Sequence, residues 1–210
     1  INLCACLVVI IINKQLVSYG GDVAVGAYGI ANRMMFFFVM VVIGINQGMQ
    51  PIAGFNFGAL HYTRLTQVLK YAITIATGIW IVGFIVCVLL ATPVASAFTN
   101  DEELLKEAAH ALRVMNLVVP IIGFQMITIG FFQSIGKAGI SIFLSLTRQL
   151  RFLVPLLLIL QNFFGLEGIW YSVPIADGTS AITAAIVLIY HMRKFKMRGK
   201  LENSNLQTEI

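Results

Sequence analysis

One carboxylate and two arginines stand inside stretches that are otherwise too apolar to hold them. Asp177 lies in the run Gly168 to Tyr190, and Arg148 and Arg151 lie in the run Ile140 to Leu160. A charged side chain at the centre of a bilayer costs about 3 kcal/mol on insertion scales, so such a residue pairs, lines a cavity, or handles a proton or cation. At about 1.5 Å per helical residue, Asp177 sits roughly 14 Å into its run, close to the bilayer midplane. Ser180, Ala181 and Ala184 follow at i+3, i+4 and i+7, making a small-residue groove on the face that carries the carboxylate. Arg151 enters from the opposite side to a similar depth and is the expected partner of Asp177, with Arg148 one turn before it. Two chemistries fit these positions. The pair is either a static lock between two helices or a carboxylate that meets an arginine, a proton and a cation in turn.

A second group of residues could bend a helix or wet it. The stretch Ile43 to Ala59, IGINQGMQPIAGFNFGA, closes an apolar run with Gln47, Gln50, Pro51 and four glycines. Hydrocarbon leaves no partner for such groups, so they must lie against protein or water. Gly44/Gly48 and Gly54/Gly58 have the spacing that lets another backbone approach, so the stretch reads as a packing seam or as a hinge facing a polar cavity. Proline has no N–H and frees the carbonyl four residues earlier. For Pro51, Pro120, Pro155 and Pro174 those carbonyls belong to Gln47, Asn116, Arg151 and Trp170. Freed carbonyls beside polar side chains either wall a hydrated pathway or are re-satisfied as ordinary kinks. Gln125, Thr128 and Gln133 have the same two readings, as cavity groups or as interhelical hydrogen bonds of about 0.6 kcal/mol. Arg33 is expected to snorkel to the outer interface, and Trp80, Trp170, Phe124 and Phe36 to Phe38 to pack rather than to cage a ligand.

The elements that position these residues are membrane helices. The chain is 59% hydrophobic and only 11% charged, with a mean hydropathy of +0.89, whereas about 25% charge is normal for a soluble domain. Apolar runs fall at Leu3 to Ser18, Val25 to Ile45, Tyr71 to Leu90, Leu112 to Phe132, Ile140 to Leu160 and Gly168 to Tyr190. Each is near the roughly 20 residues a span needs, so an all-α bundle of six transmembrane helices is expected over residues 1–195. Tyr19 to Asp22 reads as a turn, and Thr99 to Glu102 as a capping box that opens the fourth helix. Residues 196–210 read as a basic to polar tail, without apolar periodicity after Arg198. Ile1 already lies in an apolar run with no signal-peptide n-region before it, which predicts a piece of a longer protein.

Charge placement orients the bundle. Arg64, Lys70, Lys137, Arg193, Lys194, Lys196, Arg198 and Lys200 fall on one side, while Asp22, Asp101, Glu102, Glu103, Glu107 and Glu167 fall on the other with only Lys14 and Lys106. The positive-inside rule makes the basic side, with the C-terminus, cytoplasmic. A stop-transfer flank accounts for the basic tail without any nucleic-acid partner, which leaves membrane lipid as its neighbour. No soluble catalytic set is visible: His61, His110 and His191 are scattered, Cys4, Cys6 and Cys87 lack metal-ligand spacing, and no serine elbow or P-loop lysine occurs. An enzyme and an ATP-driven pump are therefore not expected, nor is a metal or cofactor.

Asn46 to Ala59 (NQGMQPIAGFNFGA), Arg148 to Leu160 (RQLRFLVPLLLIL), Gly165 to Asp177 (GLEGIWYSVPIAD) and Tyr19 to Arg33 (YGGDVAVGAYGIANR) resemble the carboxyl-terminal lobe of bacterial multidrug and toxic compound extrusion (MATE) transporters. The resemblance covers about residues 1–195. It implies a Na+- or H+-coupled antiporter of the bacterial plasma membrane that exports amphipathic, often cationic, drug-like compounds by alternating access. It also implies a twelve-helix whole of two lobes, so the partner of this lobe is an amino-terminal lobe outside the sequence. Some family branches place coupling carboxylates in the first and fourth helices of this lobe, where this chain has none in the apolar core. The expected roles are cation response at Asp177, Arg151 and Arg148, and cavity wall or hinge at Gln47, Gln50, Pro51, Asn116, Pro120 and Gln125. A lipid or lipid-linked sugar flippase and a nontransporting fragment or scaffold are the alternatives.

Overall fold

A computed structural model of the chain describes residues 2–208, and every regular element among them is helical. α1 (Asn2–Gly58) and α2 (Tyr62–Leu89) are followed by the short α3 (Ala91–Ser96), α4 (Glu102–Met115) and α5 (Val119–Ser134). α6 (Ala138–Leu146), a π-helical segment (Thr147–Leu153) and α7 (Val154–Phe164) run on into one another, and α8 (Leu166–Thr208) closes the chain. Among the described residues four helices are long and apolar enough to cross a membrane, and the bent pair α4 and α5, at 57°, makes a fifth if taken as one span. Five of the six apolar runs of the sequence fall on continuous helical stretches, the first two sharing α1, whereas the fourth, Leu112 to Phe132, crosses the break at 116–118, so the six separate spans expected are four or five among the described residues.

The turn expected at Tyr19 to Asp22 is present and is confined to one glycine of positive φ. The helical backbone is interrupted at Gly21, with φ 59° and ψ −155°, and the chain kinks there between two helices. A side chain would be strained at that φ, so glycine lets two helical arms, residues 2–20 and 22–58, join without a linker. At the other end of the sequence, α8 runs on to Thr208 rather than giving way to an unstructured tail after Arg198. No proline follows Arg198, and the charged and leucine residues there are compatible with a helix already nucleated upstream. The opening of α4 also differs from expectation. Asp101, not Thr99, is the N-cap: its Oδ1 accepts from the Glu103 and Leu104 backbone N–H groups at 2.9 and 3.2 Å, while Thr99 Oγ1 accepts from Asp101 N–H.

The core is built around Trp80, Trp170, Phe131 and Phe132, with small residues such as Ala72, Ala76, Ala108 and Ala111 letting helices approach. The outside is as apolar as the inside: Ile10, Phe36, Phe37, Ile75, Ile182 and Ile186 are exposed. In water that surface would associate, whereas in lipid it is matched to its solvent. Expected charge segregation is reproduced in space. Glu102, Glu103, Lys106 and Glu107 border one cleft with Gly20 and Leu166, and Lys14 lies beside Tyr19. Lys137, Lys194 and Arg198 gather at the opposite end with Tyr62 and Phe195.

Candidate functional site

Ala138–Phe164 forms one span, and Pro155 interrupts its hydrogen-bond ladder. Proline supplies no N–H there, and the preceding Val154 N–H reaches back five residues to the Gln149 carbonyl, widening the turn into the π segment. The widened turn presents Arg148 to α8. Its Nε donates to Asp177 Oδ1 at 2.7 Å. Arg151, the expected partner, is exposed instead. The expectation matched Arg151 to Asp177 by depth alone, and the π segment settles which of the two arginines faces the interior.

The two ends of the pair are not equally protected. The Asp177 side chain is 4% exposed and that of Arg148 29%. Asp177 Oδ2 is buried without a hydrogen-bond partner among the described residues. One turn further along α8, Ser180 accepts a hydrogen bond from Gln125 Nε2 of α5. Ser180, Ala181 and Ala184 are buried, as the small-residue groove requires, and Gln125 is the α5 side chain that reaches into it. Gln125 Oε1 is also buried without a partner among the described residues. Asp177, Arg148, Gln125 and Ser180 thus form a polar cluster from three elements. Its carboxylate has one oxygen engaged by arginine and one that can accept a proton or ligate a small cation.

The remaining expected residues are not gathered there. Gln47 and Pro51 are exposed on the second arm of α1, and Gln50 is half-buried. Gly44, Gly48 and Gly58 face open space, whereas a Cβ on Gly54 would stand 3.2 Å from the Ser134 carbonyl, so of the two glycine pairs Gly54 alone makes a close packing contact. Pro120 does not bend a continuous helix but opens α5 after the break at 116–118. Asn116 ends α4, is 1% exposed, and turns its Nδ2 back to the Leu112 carbonyl at 2.8 Å. Of the four carbonyls that proline was expected to free, those of Gln47 and Arg151 therefore belong to exposed residues and those of Asn116 and Trp170 to buried ones. They do not share one wall.

Three contacts were not anticipated. Asn46 lies directly over the backbone of Gly130, and any Cβ there would collide with its amide. His110 pairs with Glu167 at 2.9 Å, tying α4 to the first turn of α8, and Trp170 Nε1 donates to Glu107 Oε1 at 3.1 Å beside it. The sequence offers a signal for Asn46, a second amide beside Gln47 in an apolar helix, but none for the other two, whose partners are 57 and 63 residues apart.

A family model described as MatE matches residues 1–159 of this chain. Over 184 residues the chain is 27% identical to the multidrug export protein MepA of Staphylococcus aureus (strain MSSA476), covering 88% of this chain and 40% of that protein. The MepA of Staphylococcus haemolyticus (strain JCSC1435) is 25% identical over the same extent. Among solved structures, a MATE in the bent conformation superposes with a TM-score of 0.87 at 23% identity, over 95% of this chain and 44% of that one. Outward-facing and inward-facing structures of a multidrug resistance MATE family transporter each give 0.85 at 24% identity, over 93% of this chain and 44% and 46% of theirs. Likeness at this identity establishes the fold. The chain spans less than half the length of the curated relatives it matches.

Proposed function

This chain belongs to the MatE family, and from that membership and its buried Arg148–Asp177 pair we propose that it forms one lobe of a coupled exporter of drug-like compounds. Family members are transporters, not enzymes, and the chain is a multi-pass membrane protein. Alternating access supplies the mechanism: this lobe and an amino-terminal lobe rock about a cavity between them. Equal superposition on outward- and inward-facing structures supports a lobe that moves as one body. The exposed Gln47 and Pro51 support a polar surface turned to the cavity or the other lobe, because lipid satisfies neither the Gln47 amide nor the Gln47 carbonyl that Pro51 leaves without its helical N–H. The basic end is cytoplasmic in this reading, with the protein in a bacterial plasma membrane.

The observation that carries the coupling proposal is the half-engaged carboxylate. Asp177 presents Oδ1 to Arg148 and keeps Oδ2 buried without a partner among the described residues. A proton or Na+ arriving at Asp177 competes with Arg148 for its charge, and loss of the ion restores the pair. Two states of one contact between α8 and the π segment then follow the coupling ion. In the complete transporter, Asp177→Asn is expected to abolish drug resistance while the protein inserts at its normal level. Unchanged resistance at normal expression would overturn the coupling role and leave the pair as a static lock.

A further inference from the structure

We propose that the cavity between the first arm of α1 and α7 takes the neutral, hydroxyl-bearing headgroup of a sugar-headed lipid, its chain laid against Ile11 and Leu158. The cavity measures about 630 Å³, inside the roughly 300–1,000 Å³ of small-molecule sites. Gln15 and Gln161 line it from the two helices. Gln15 is 8% exposed, and Oε1 of each glutamine is buried without a hydrogen-bond partner among the described residues. Buried acceptors of this kind are a standing cost to a fold, and native structures keep few of them. Two on one cavity call for a donor from outside the chain. Neither Asp177 nor Arg148 lines this cavity, so binding here is independent of the coupling pair.

The lining selects the donor. An ammonium group could donate to both amides but would meet the charge of Lys14, which shares the cavity wall and makes no ion pair among the described residues. A carboxylate or phosphate suits Lys14 but only accepts, and it would repel the two glutamine oxygens. A hydroxyl both donates and accepts, so neighbouring hydroxyls match a carboxamide whichever end it presents. Ser18 Oγ donates to the Lys14 carbonyl at 3.0 Å, which leaves its oxygen free to accept, and the exposed Tyr19 offers a ring face to the C–H side of a sugar. Depth supplies the place for a chain. Tyr19 stands at the acidic end of the arm, beside the turn at Gly165, where a Cβ would lie 4.0 Å from its ring. Ile11 is eight residues before it, about 12 Å along the axis. On α7, Gln161 is nearer the Gly165 turn than Leu158 is. Polar groups therefore crowd the membrane boundary, while Ile11 and Leu158 lie deeper and the exposed Leu7 continues the apolar track one turn below Ile11. A free sugar has no use for that track, whereas a sugar-headed lipid fills both parts.

The test uses the purified full chain in an oligo-oxyethylene detergent, which carries no sugar, with retention of dodecyl glucoside, dodecyltrimethylammonium and dodecyl phosphate measured by native mass spectrometry. One chain length cancels partition into the micelle, so differences report the head. Dodecyl glucoside is expected to be retained above the other two. Gln15→Leu and Gln161→Leu should each weaken its retention about five-fold for every hydrogen bond lost. Both variants remove an oxygen that has no partner, so ligand-free thermal stability should hold or rise, which separates lost binding from lost folding. Dodecyl glucoside should raise the melting temperature of the unaltered chain more than that of either variant. Equal retention of the three heads, or a glucoside preference indifferent to both Leu variants, overturns the site. Stronger retention of dodecyl phosphate, lost in Lys14→Gln, overturns the neutral head in favour of an anion. Methyl glucoside displacing dodecyl glucoside at equal concentration overturns the lipid in favour of a free sugar.

Discussion

Removing Arg148 should cost more than removing the charge of Asp177, and the difference measures how the pair is buried. In Arg148→Ala the carboxylate keeps its place with a side chain 4% exposed, and Oδ1 loses its partner as Oδ2 already has none. An uncompensated buried charge of this kind costs about 3–5 kcal/mol. In Asp177→Asn the partner left behind is an arginine whose side chain is 29% exposed. It can reorient towards water, and the new amide still offers an oxygen to Arg148 Nε, so the loss is about 1–2 kcal/mol. Arg151 is exposed, and Arg151→Ala should change stability by no more than about 0.5 kcal/mol. Equilibrium unfolding in mixed micelles can be followed through the emission of Trp80 and Trp170, both buried in the core. A double-mutant cycle over Arg148 and Asp177 then isolates the interaction, which should lie above about 1 kcal/mol. Equal losses at the two positions would refute the asymmetric burial. A larger loss from Arg151→Ala than from Arg148→Ala would refute the π-segment register and restore Arg151 as the partner.

Other residues give independent tests. Gly130→Ala drives a methyl into the Asn46 amide and should destabilise by about 1–3 kcal/mol, with much of the loss recovered in the Asn46→Ala background; simple additivity of the two would exclude their contact. Lys137 has a lowered pKa in the fold, from burial first and Lys194 and Arg198 next, so its ammonium opposes folding at neutral pH. That penalty is lost as pH rises through the lowered folded pKa towards the unfolded value of about 10.5, where an unfolded chain binds the extra proton. Lipid-free stability relative to Lys137→Gln should therefore improve with pH across that alkaline window, and a flat or falling difference would contradict the repulsion. His110 and Glu167 are 41% and 50% exposed, so a double-mutant cycle at pH 6 should yield under about 1 kcal/mol; a value well above that would mean the pair is desolvated in the membrane.

What the sequence disclosed and what it hid divide along a physical line. Element type followed from apolar runs near a bilayer's thickness, because hydrocarbon permits few alternatives to helix. The two charged ends followed from residue placement alone, since Lys137 and Glu167 cannot be moved across the membrane without moving a whole span. Asp177 and its small-residue face were visible because Ser180, Ala181 and Ala184 share one regular helix with it. The choice between Arg148 and Arg151 was not visible. It depends on Pro155 converting the preceding turn to π geometry, and a proline in sequence announces a disturbance without saying how the ladder repairs itself. Pro120 shows the same limit, since it starts a helix after a break rather than bending one. Contacts such as His110 with Glu167 join distant segments and have no local signature.

The polar residues of this lobe are of two kinds, and they place different demands on what surrounds it. Asp177, Arg148, Gln125 and Ser180 draw partners from α5, α8 and the π segment, all within the chain. Each is engaged within the chain, while Asp177 Oδ2 and Gln125 Oε1 stay buried without a partner among the described residues. Gln47, Gly44, Gly48 and Pro51 are exposed on an arm that also exposes Phe36, Phe37 and Met40 nearer Gly21. Lipid can cover the aromatic stretch at a gain, but an amide in hydrocarbon costs at least about 1–3 kcal/mol without a partner, and Pro51 leaves the Gln47 carbonyl without its helical N–H. The lower part of the arm therefore needs water or protein against it, while the upper part does not. The chain thus carries a polar interior whose engaged groups find partners within it, and a polar flank whose amide calls for water or protein from outside.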